Sequence, residues 1–421
     1  MSARVDARGR TPALGFLGGL GVAALALGAT LVVAAAPPAA AADSACTPDV
    51  VRYSADAPPA LARLGAARAW ELATGAGVLV AVVDSGVDPG NAHLAGVVEP
   101  GTDVVGLAGD PAGRTDDAGH GTAIAGQIAA RRTGESGVVG LAPAARILAV
   151  RVYYAADSAA AEAGTAPRTD RIAAGIRYAA ENGAAVINVS ISSTVDDPEL
   201  RDAVRVATER GALVVASAGN RTTTDQTQDS PRYPAAYPEV LAVTAVDDLD
   251  QVTEDSIHGA HVDVAAPGTN VLTAFHAAGD CMLAGGEAST SFATAYASAA
   301  AALLAERYPH ESPAQWAYRL EVTAARARVD ARDDIAGWGV IRPYDALAFV
   351  DDGSAPGPPS PVAAPVPPAA AAAQTLELGA RADPLAPARV ASTWWLLAGA
   401  AAVVGAVLAS LLTARRRPAA R

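Results

Sequence analysis

Lysine is missing from this 421-residue chain, and all 31 basic residues are arginine. No lysine amine therefore takes part in its chemistry. Beside so much alanine, the omission points to a GC-rich coding bias rather than a chemical demand. Positive charge is also outweighed: 44 acidic residues against 31 basic ones give a formal charge of −13. Binding a phosphate backbone needs basic patches, so nucleic acid is not expected as a partner. Cysteine is scarce, with only Cys46 and Cys281. They form either one disulfide, which an oxidising compartment would preserve, or two free thiols. Acidic residues are plentiful, yet none falls in the spacing of an EF-hand calcium loop, and no metal or cofactor is expected.

What the chain does have is apolar surface to bury. Hydrophobic residues make up 51% of it. A central stretch of roughly 280 to 300 residues reads as one large domain. The two ends read differently. Arg4, Arg8 and Arg10 precede an apolar run from about Ala13 to Ala36, and then Ala39-Ala40-Ala41-Ala42. That layout predicts a signal peptide over 1–42, with a retained anchor as the alternative. A short extension, 43–60, follows. At the other end, Trp394 to Thr413 carries no charge. At about 1.5 Å per residue it is long enough to cross a bilayer, which predicts a transmembrane helix over 393–413. Trp394 and Trp395 suit one interface, and Arg415, Arg416, Arg417 and Arg421 lie beyond the other. Positive charge stays cytoplasmic, so the tail 414–421 is expected inside the cell membrane and the domain outside. Between domain and helix, 353–392 is rich in proline and alanine, as in Pro356-Gly357-Pro358-Pro359. It predicts a semi-rigid tether.

The central domain alternates apolar strands with helices. Val78 to Val83 is a β-branched run that ends at Asp84. Arg146–Tyr153, Ala185–Ile191 and Ala212–Ala216 are similar runs. Helices are expected from Gly121 to Arg132, from an Asp170 cap to Glu181 before Gly183, and from Ser291 through Leu304. A polar loop is expected from Ala155 to Arg168. The alternation predicts an α/β fold with a mostly parallel sheet flanked by helices. Chemistry in such folds gathers at strand ends and helix starts.

Three runs carry candidate chemistry: Val80-Ala81-Val82-Val83-Asp84-Ser85-Gly86, Asp117-Ala118-Gly119-His120-Gly121-Thr122 and Ser289-Thr290-Ser291-Phe292-Ala293-Thr294-Ala295. A serine hydroxyl needs an adjacent base, and the base needs a carboxylate to fix its tautomer and stabilise its cation. Ser291, His120 and Asp84 are the candidates for those roles. Attack on a carbonyl also builds an oxyanion that needs fixed donors. Asn220, in Ser217-Ala218-Gly219-Asn220 after a strand, is the candidate side-chain donor, beside the backbone N–H of Ser291. Singly, each residue has a plain structural alternative as a cap, turn or packed side chain. Four runs in this order are a different matter.

From about Leu61 to Val350 the chain resembles a subtilase. The three runs resemble that family's aspartate, histidine and serine motifs. Ala216–Asn220, Gly140-Leu141-Ala142-Pro143 and Val262–Gly268 are further family-like runs. The resemblance implies a subtilisin-like catalytic domain over 61–352 that acts as a serine endopeptidase on protein or peptide substrates. It also implies that Ser190, Ile191 and Ser192 form the edge that pairs with extended substrate, and that the Ala155–Arg168 loop borders a subsite. The chain departs from the family pattern at Ser289 and Ser192, where glycine is usual, and at Ala295, where proline is usual. A side chain at 289 is expected to crowd the turn at the nucleophile.

The order of signal peptide, protease domain, proline-rich tether, single membrane helix and arginine tail resembles the mycosins. So do Arg63-Leu64-Gly65-Ala66 and Gly337-Trp338-Gly339-Val340. That likeness implies a membrane-anchored protease linked to type VII secretion. The alternatives are a scaffold component of a secretion complex with dispensable proteolysis, and a general surface protease.

Overall fold

The structure is a computed structural model that describes residues 46–48, 50–106, 109–223, 226–364 and 383–415. The expected signal peptide, the middle of the tether and the arginine tail from 416 onward lie outside those residues.

The described residues form nine strands: β1 Leu79–Asp84, β2 Val98–Asp103, β3 Arg146–Arg151, β4 Val186–Val189, β5 Leu213–Ser217, β6 Val240–Val246, β7 Val264–Pro267, β8 Val271–Ala274 and β9 Asp280–Leu283. The first seven make one sheet in the order β2-β3-β1-β4-β5-β6-β7, and every pairing in it is parallel. β8 and β9 form a separate antiparallel hairpin. β4 to β7 are buried along their whole length. This explains why they read as unbroken apolar runs: both faces of a parallel sheet are covered by helices.

Side chains alternate between the faces. Val80, Val82, Val186 and Val215 face one apolar cluster, which contains the helices His120–Ala129 and Thr290–Arg307. Ala81, Val83, Ile187 and Val214 face the other, under the helices Thr169–Glu181 and Pro198–Glu209. With only four phenylalanines in the chain, small residues fill the first cluster. The helix Thr290–Arg307 is buried on all sides from Thr290 to Ala305. A helix apolar all round belongs inside a protein, and its alanines let it lie close to the sheet.

Chain order places the site. After β1 the chain builds β2 and β3 on one side, then crosses to β4 on the other. β1 is therefore where the winding reverses, and the crevice beyond the C-terminal ends of its strands is the usual binding position in such sheets. Asp84 ends β1, and Ser190 follows β4 directly.

Several local expectations change. Asp170 is not the cap of its helix: Arg168 is the N-cap and Thr169 the first helical residue. Asp170 sits in the first turn instead, where a carboxylate meets the positive helix end, and it pairs with Arg168 at 2.9 Å. The Ala155–Arg168 loop contains a short helix, Ser158–Glu162, because Asp157 accepts from Ala160 N at 2.8 Å. The C-terminal helix spans Ala386–Arg415, so it begins inside the stretch expected to be tether. Its apolar part, Ala386–Thr413, has a mean hydropathy of 2.2 and is fully exposed. The first part of the proline-rich tract lies against the domain, with Ser360 Oγ donating to Asp351 at 2.5 Å and Arg326 donating to the Pro356 carbonyl at 3.2 Å.

Candidate active site

Asp84 is wholly buried at the end of β1. Its Oδ1 accepts from the Ser85 N–H at 2.8 Å and from His120 Nδ1 at 2.7 Å. His120 is the first residue of its helix, and Gly119 before it has φ 75°. A Cβ at Gly119 would come within 2.5 Å of His276 Nε2, so glycine is required there both for backbone and for space. The contact to Asp84 fixes the His120 tautomer with the proton on Nδ1, which leaves Nε2 as the nitrogen able to take a proton. Burial works against the charged form of His120. The charge and hydrogen bond of Asp84, then the charge of Asp116, outweigh it and raise the pKa above its usual value.

Ser291 is the second residue of the long buried helix. Its Oγ does not bond His120; it donates to the Ser190 carbonyl at 3.1 Å. The Ser190 hydroxyl in turn donates to the Ser291 carbonyl at 2.9 Å. His120 lies beside the next residue, with its ring 5.8 Å from that of Phe292 between centroids. The structure thus brings Asp84 and His120 into contact and turns the serine hydroxyl toward the β4 edge.

Asn220 stands just past β5 and is buried. Its Oδ1 accepts from the Thr290 N–H at 2.8 Å and from Thr290 Oγ1 at 3.0 Å. Those bonds fix the amide so that Nδ2 is the group left to donate, and among the described residues it has no protein acceptor. The Ser291 N–H lies in the first helical turn, where N–H groups have no intrahelical partner. Two donors therefore flank the serine without competing acceptors.

Ile191 and Ser192 are half-buried and line a cleft of about 240 Å³ with Arg168, Thr169 and Ile172. Among the described residues, no backbone hydrogen bond reaches Ile191 or Ser192. Their main-chain groups are what an added strand pairs with. Ser190, by contrast, is buried and tied to Ser291. Ser289 has φ −114° and ψ 122°, extended backbone open to any residue, so the turn does not demand the conformational freedom of glycine there. At position 295 alanine simply continues the helix, with no interior proline to interrupt it.

Three further residues belong to the site and were not singled out from the sequence. Thr290 anchors Asn220. Asp116 accepts from Ser85 Oγ at 2.7 Å, from the Gly119 N–H at 2.9 Å and from the Thr122 N–H and hydroxyl at 2.8 and 2.6 Å. It fixes the start of the His120 helix from outside the N-cap, which is Gly119, so no capping pattern in the sequence marks it. Tyr153 donates its hydroxyl to Asp84 Oδ1 at 2.9 Å. Away from the cleft, Cys46 and Cys281 are bonded to each other with their Cα atoms 5.8 Å apart. Among the described residues no three metal-ligating side chains cluster.

The subtilase family model matches residues 75–339. The chain is a subtilase. Among curated proteins, this subtilase is 36% identical to Mycosin-1 of Mycobacterium tuberculosis over 341 residues, which is 70% of this chain and 74% of that protein. It is 38% identical to Thermitase of Thermoactinomyces vulgaris over 245 residues, 58% of this chain and 81% of that one. Among solved structures, MycP1 from the ESX-1 type VII secretion system matches with a TM-score of 0.63 and 32% identity, covering 75% of this chain and 92% of that one. The subtilase is therefore a serine protease of mycosin type.

Proposed function

We propose that this subtilase is a membrane-anchored endopeptidase in which Ser291 is the nucleophile, His120 the base and Asp84 its carboxylate partner. The observation that carries the reading is the 2.7 Å contact between His120 Nδ1 and a buried Asp84. A buried carboxylate on one imidazole nitrogen makes the other a base. Substrate adds to the backbone at Ile191 and Ser192 as a strand. The Ser291 hydroxyl turns from the Ser190 carbonyl to His120 Nε2 and attacks the scissile carbonyl as His120 takes its proton. The Ser291 N–H and Asn220 Nδ2 receive the oxyanion. His120 returns the proton to the leaving amine, and water reverses the sequence to free the enzyme.

The apolar exposed helix Ala386–Thr413 supports a membrane anchor, with arginines after it on the cytoplasmic side. The catalytic domain then lies outside the cell membrane. The relation to Mycosin-1 and MycP1 supports a place in type VII secretion. A fluorophosphonate probe tests the chemistry. It should label the full-length protein, and Ser291→Ala should abolish labelling and lower peptide cleavage on the order of a million-fold, the scale known for removing the nucleophile of subtilisin, a relative. Unchanged labelling would sink the assignment.

The hydroxyl of Ser291 held on the Ser190 carbonyl favours a second reading, a secretion component whose proteolysis is dispensable. A strain with Ser291→Ala that secretes normally, beside a deletion that does not, would select it.

A further inference from the structure

Asp84 is solvated unevenly by its neighbours. Oδ1 accepts three hydrogen bonds: from the Ser85 N–H at 2.8 Å, from His120 Nδ1 at 2.7 Å and from the Tyr153 hydroxyl at 2.9 Å. Oδ2 is buried with no partner among the described residues. Tyr153 and His120 thus share one oxygen, and the Tyr153 oxygen lies 3.4 Å from His120 Nδ1.

Tyr153 is placed to do this by the sheet. β1 and β3 run parallel with Asp84 opposite Arg151, and the Val152 N–H donates to the Asp84 carbonyl at 2.8 Å. The next residue therefore stands beside the carboxylate. Tyr153 is only 5% exposed, and its ring belongs to the apolar cluster that contains Val83 and Ile172. Burial first, then the charge of Asp84, keep the phenol protonated far above its usual range. It is a permanent donor.

We propose that Tyr153 is a positioning residue of the catalytic constellation, holding Asp84 Oδ1 in place for His120 and taking up part of its negative charge. The proposal rests on the reading of Asp84 and His120 as the carboxylate and base. A carboxylate whose charge is shared among donors stabilises the imidazolium less. Tyr153 therefore lowers the pH at which His120 becomes a neutral base. It opposes Asp84 and Asp116, the two carboxylates that favour the charged imidazole from β1 and from the segment before the His120 helix. The His276 ring also stands at the start of that helix, against Gly119, with its Nδ1 on the Asp116 carbonyl at 3.0 Å. The hydroxyl leaves the other end of the reaction untouched: Asn220 and the Ser291 N–H are held separately.

The test is Tyr153→Phe in the full-length protein in detergent, with two readouts against pH. The first is the acid limb of kcat/KM for a peptide substrate. The second is the rate at which diethyl pyrocarbonate modifies His120, followed by mass spectrometry of its peptide, which needs no turnover. Both midpoints should move upward by about half a pH unit or more, the scale of losing one charge-assisted donor. Tyr153→Leu, which also loses the ring edge, should move the modification midpoint in the same direction even where it lowers thermal stability. A His120 modification midpoint that stays put in folded Tyr153→Phe overturns the proposal. A midpoint that moves in a protein without peptidase activity supports the coupling while sinking the catalytic reading.

Discussion

Ser291 and Ser190 hold each other through crossed hydrogen bonds. The Ser291 hydroxyl donates to the Ser190 carbonyl at 3.1 Å, and the Ser190 hydroxyl donates to the Ser291 carbonyl at 2.9 Å. Only the second depends on the Ser190 side chain. Ser190→Ala removes that bond and the one the Ser190 hydroxyl accepts from Asn188 Nδ2 at 3.0 Å, so it should lower stability by about 2 kcal/mol and keep fluorophosphonate labelling. Thermal melts and probe labelling check this. Loss of labelling would mean that the side chain itself shapes the nucleophile.

Asn220 has two jobs that one substitution separates. Its Oδ1 accepts from Thr290, while Nδ2 is left for the oxyanion. Asn220→Asp keeps the acceptor and removes the donor. We expect kcat to fall at least a hundredfold, about 3 kcal/mol in the barrier, with the melting temperature close to that of the unaltered protein. An unchanged kcat would exclude Asn220 from the oxyanion site.

The N-terminal segment is fastened by a buried pair. His93 Nε2 meets Asp280 Oδ1 at 2.8 Å, its Nδ1 meets the Arg131 carbonyl at 2.7 Å, and Asp280 Oδ2 accepts from the Ser54 N–H at 2.8 Å. Burial opposes the charge on His93, but the Asp280 hydrogen bond, then the Arg131 carbonyl, raise its pKa. Burial likewise opposes the Asp280 charge, but His93 and Ser136 bring that pKa down. The stabilising contribution of His93 is complete below about pH 6.5 and is lost as pH rises through its raised value. That of Asp280 is present above about pH 4 and is lost as pH falls through its lowered value. Protection of the Ser54 amide, its exchange rate taken relative to that of an unstructured amide at the same pH, should thus be greatest between those limits and fall on the alkaline side. Asp280→Asn should flatten the profile.

A second, half-buried pair works in one direction only. Burial raises Asp263 to about 7, against a hydrogen bond from the Ala242 N–H. Burial and then the charge of Asp263 raise Glu321 to about 8. Both carboxylates hold protons in the folded chain that the unfolded chain releases near pH 4. Their contribution is complete below that range and is lost as pH rises through 7 and 8. The melting temperature should fall from pH 6 to 9, and Asp263→Asn, neutral throughout, should fall less. Equal slopes would sink this account.

The catalytic runs were legible because each is local. A β-branched strand ending in Asp84, a glycine-flanked His120 opening a helix, and Ser291 opening a run of small residues all show within seven positions. The parallel sheet followed from the alternation of such runs. β2 and β6 to β9 are not legible: β2 carries Glu99, Pro100 and Gly101, and the buried β6 and β7 are apolar on both faces and lack a period of their own. Tyr153 and Thr290 were invisible for another reason. Tyr153 reaches Asp84 only through the register of two strands whose paired residues are 67 positions apart, Leu79 with Arg146 and Asp84 with Arg151 being set by folding and not by nearby sequence. The crowding expected at Ser289 rested on the family's glycine, yet the backbone there is ordinary extended chain.

The Cys46–Cys281 bond spans 235 positions, and this has a topological consequence. Asp84 and His120 lie within the covalent ring it closes, while Ser291 lies on the free arm beyond it. A single cut in the exposed stretch 161–164 would open the ring without releasing either piece. A nicked molecule would then keep nucleophile and base in one covalent body, migrating as one band without reductant and as two with it.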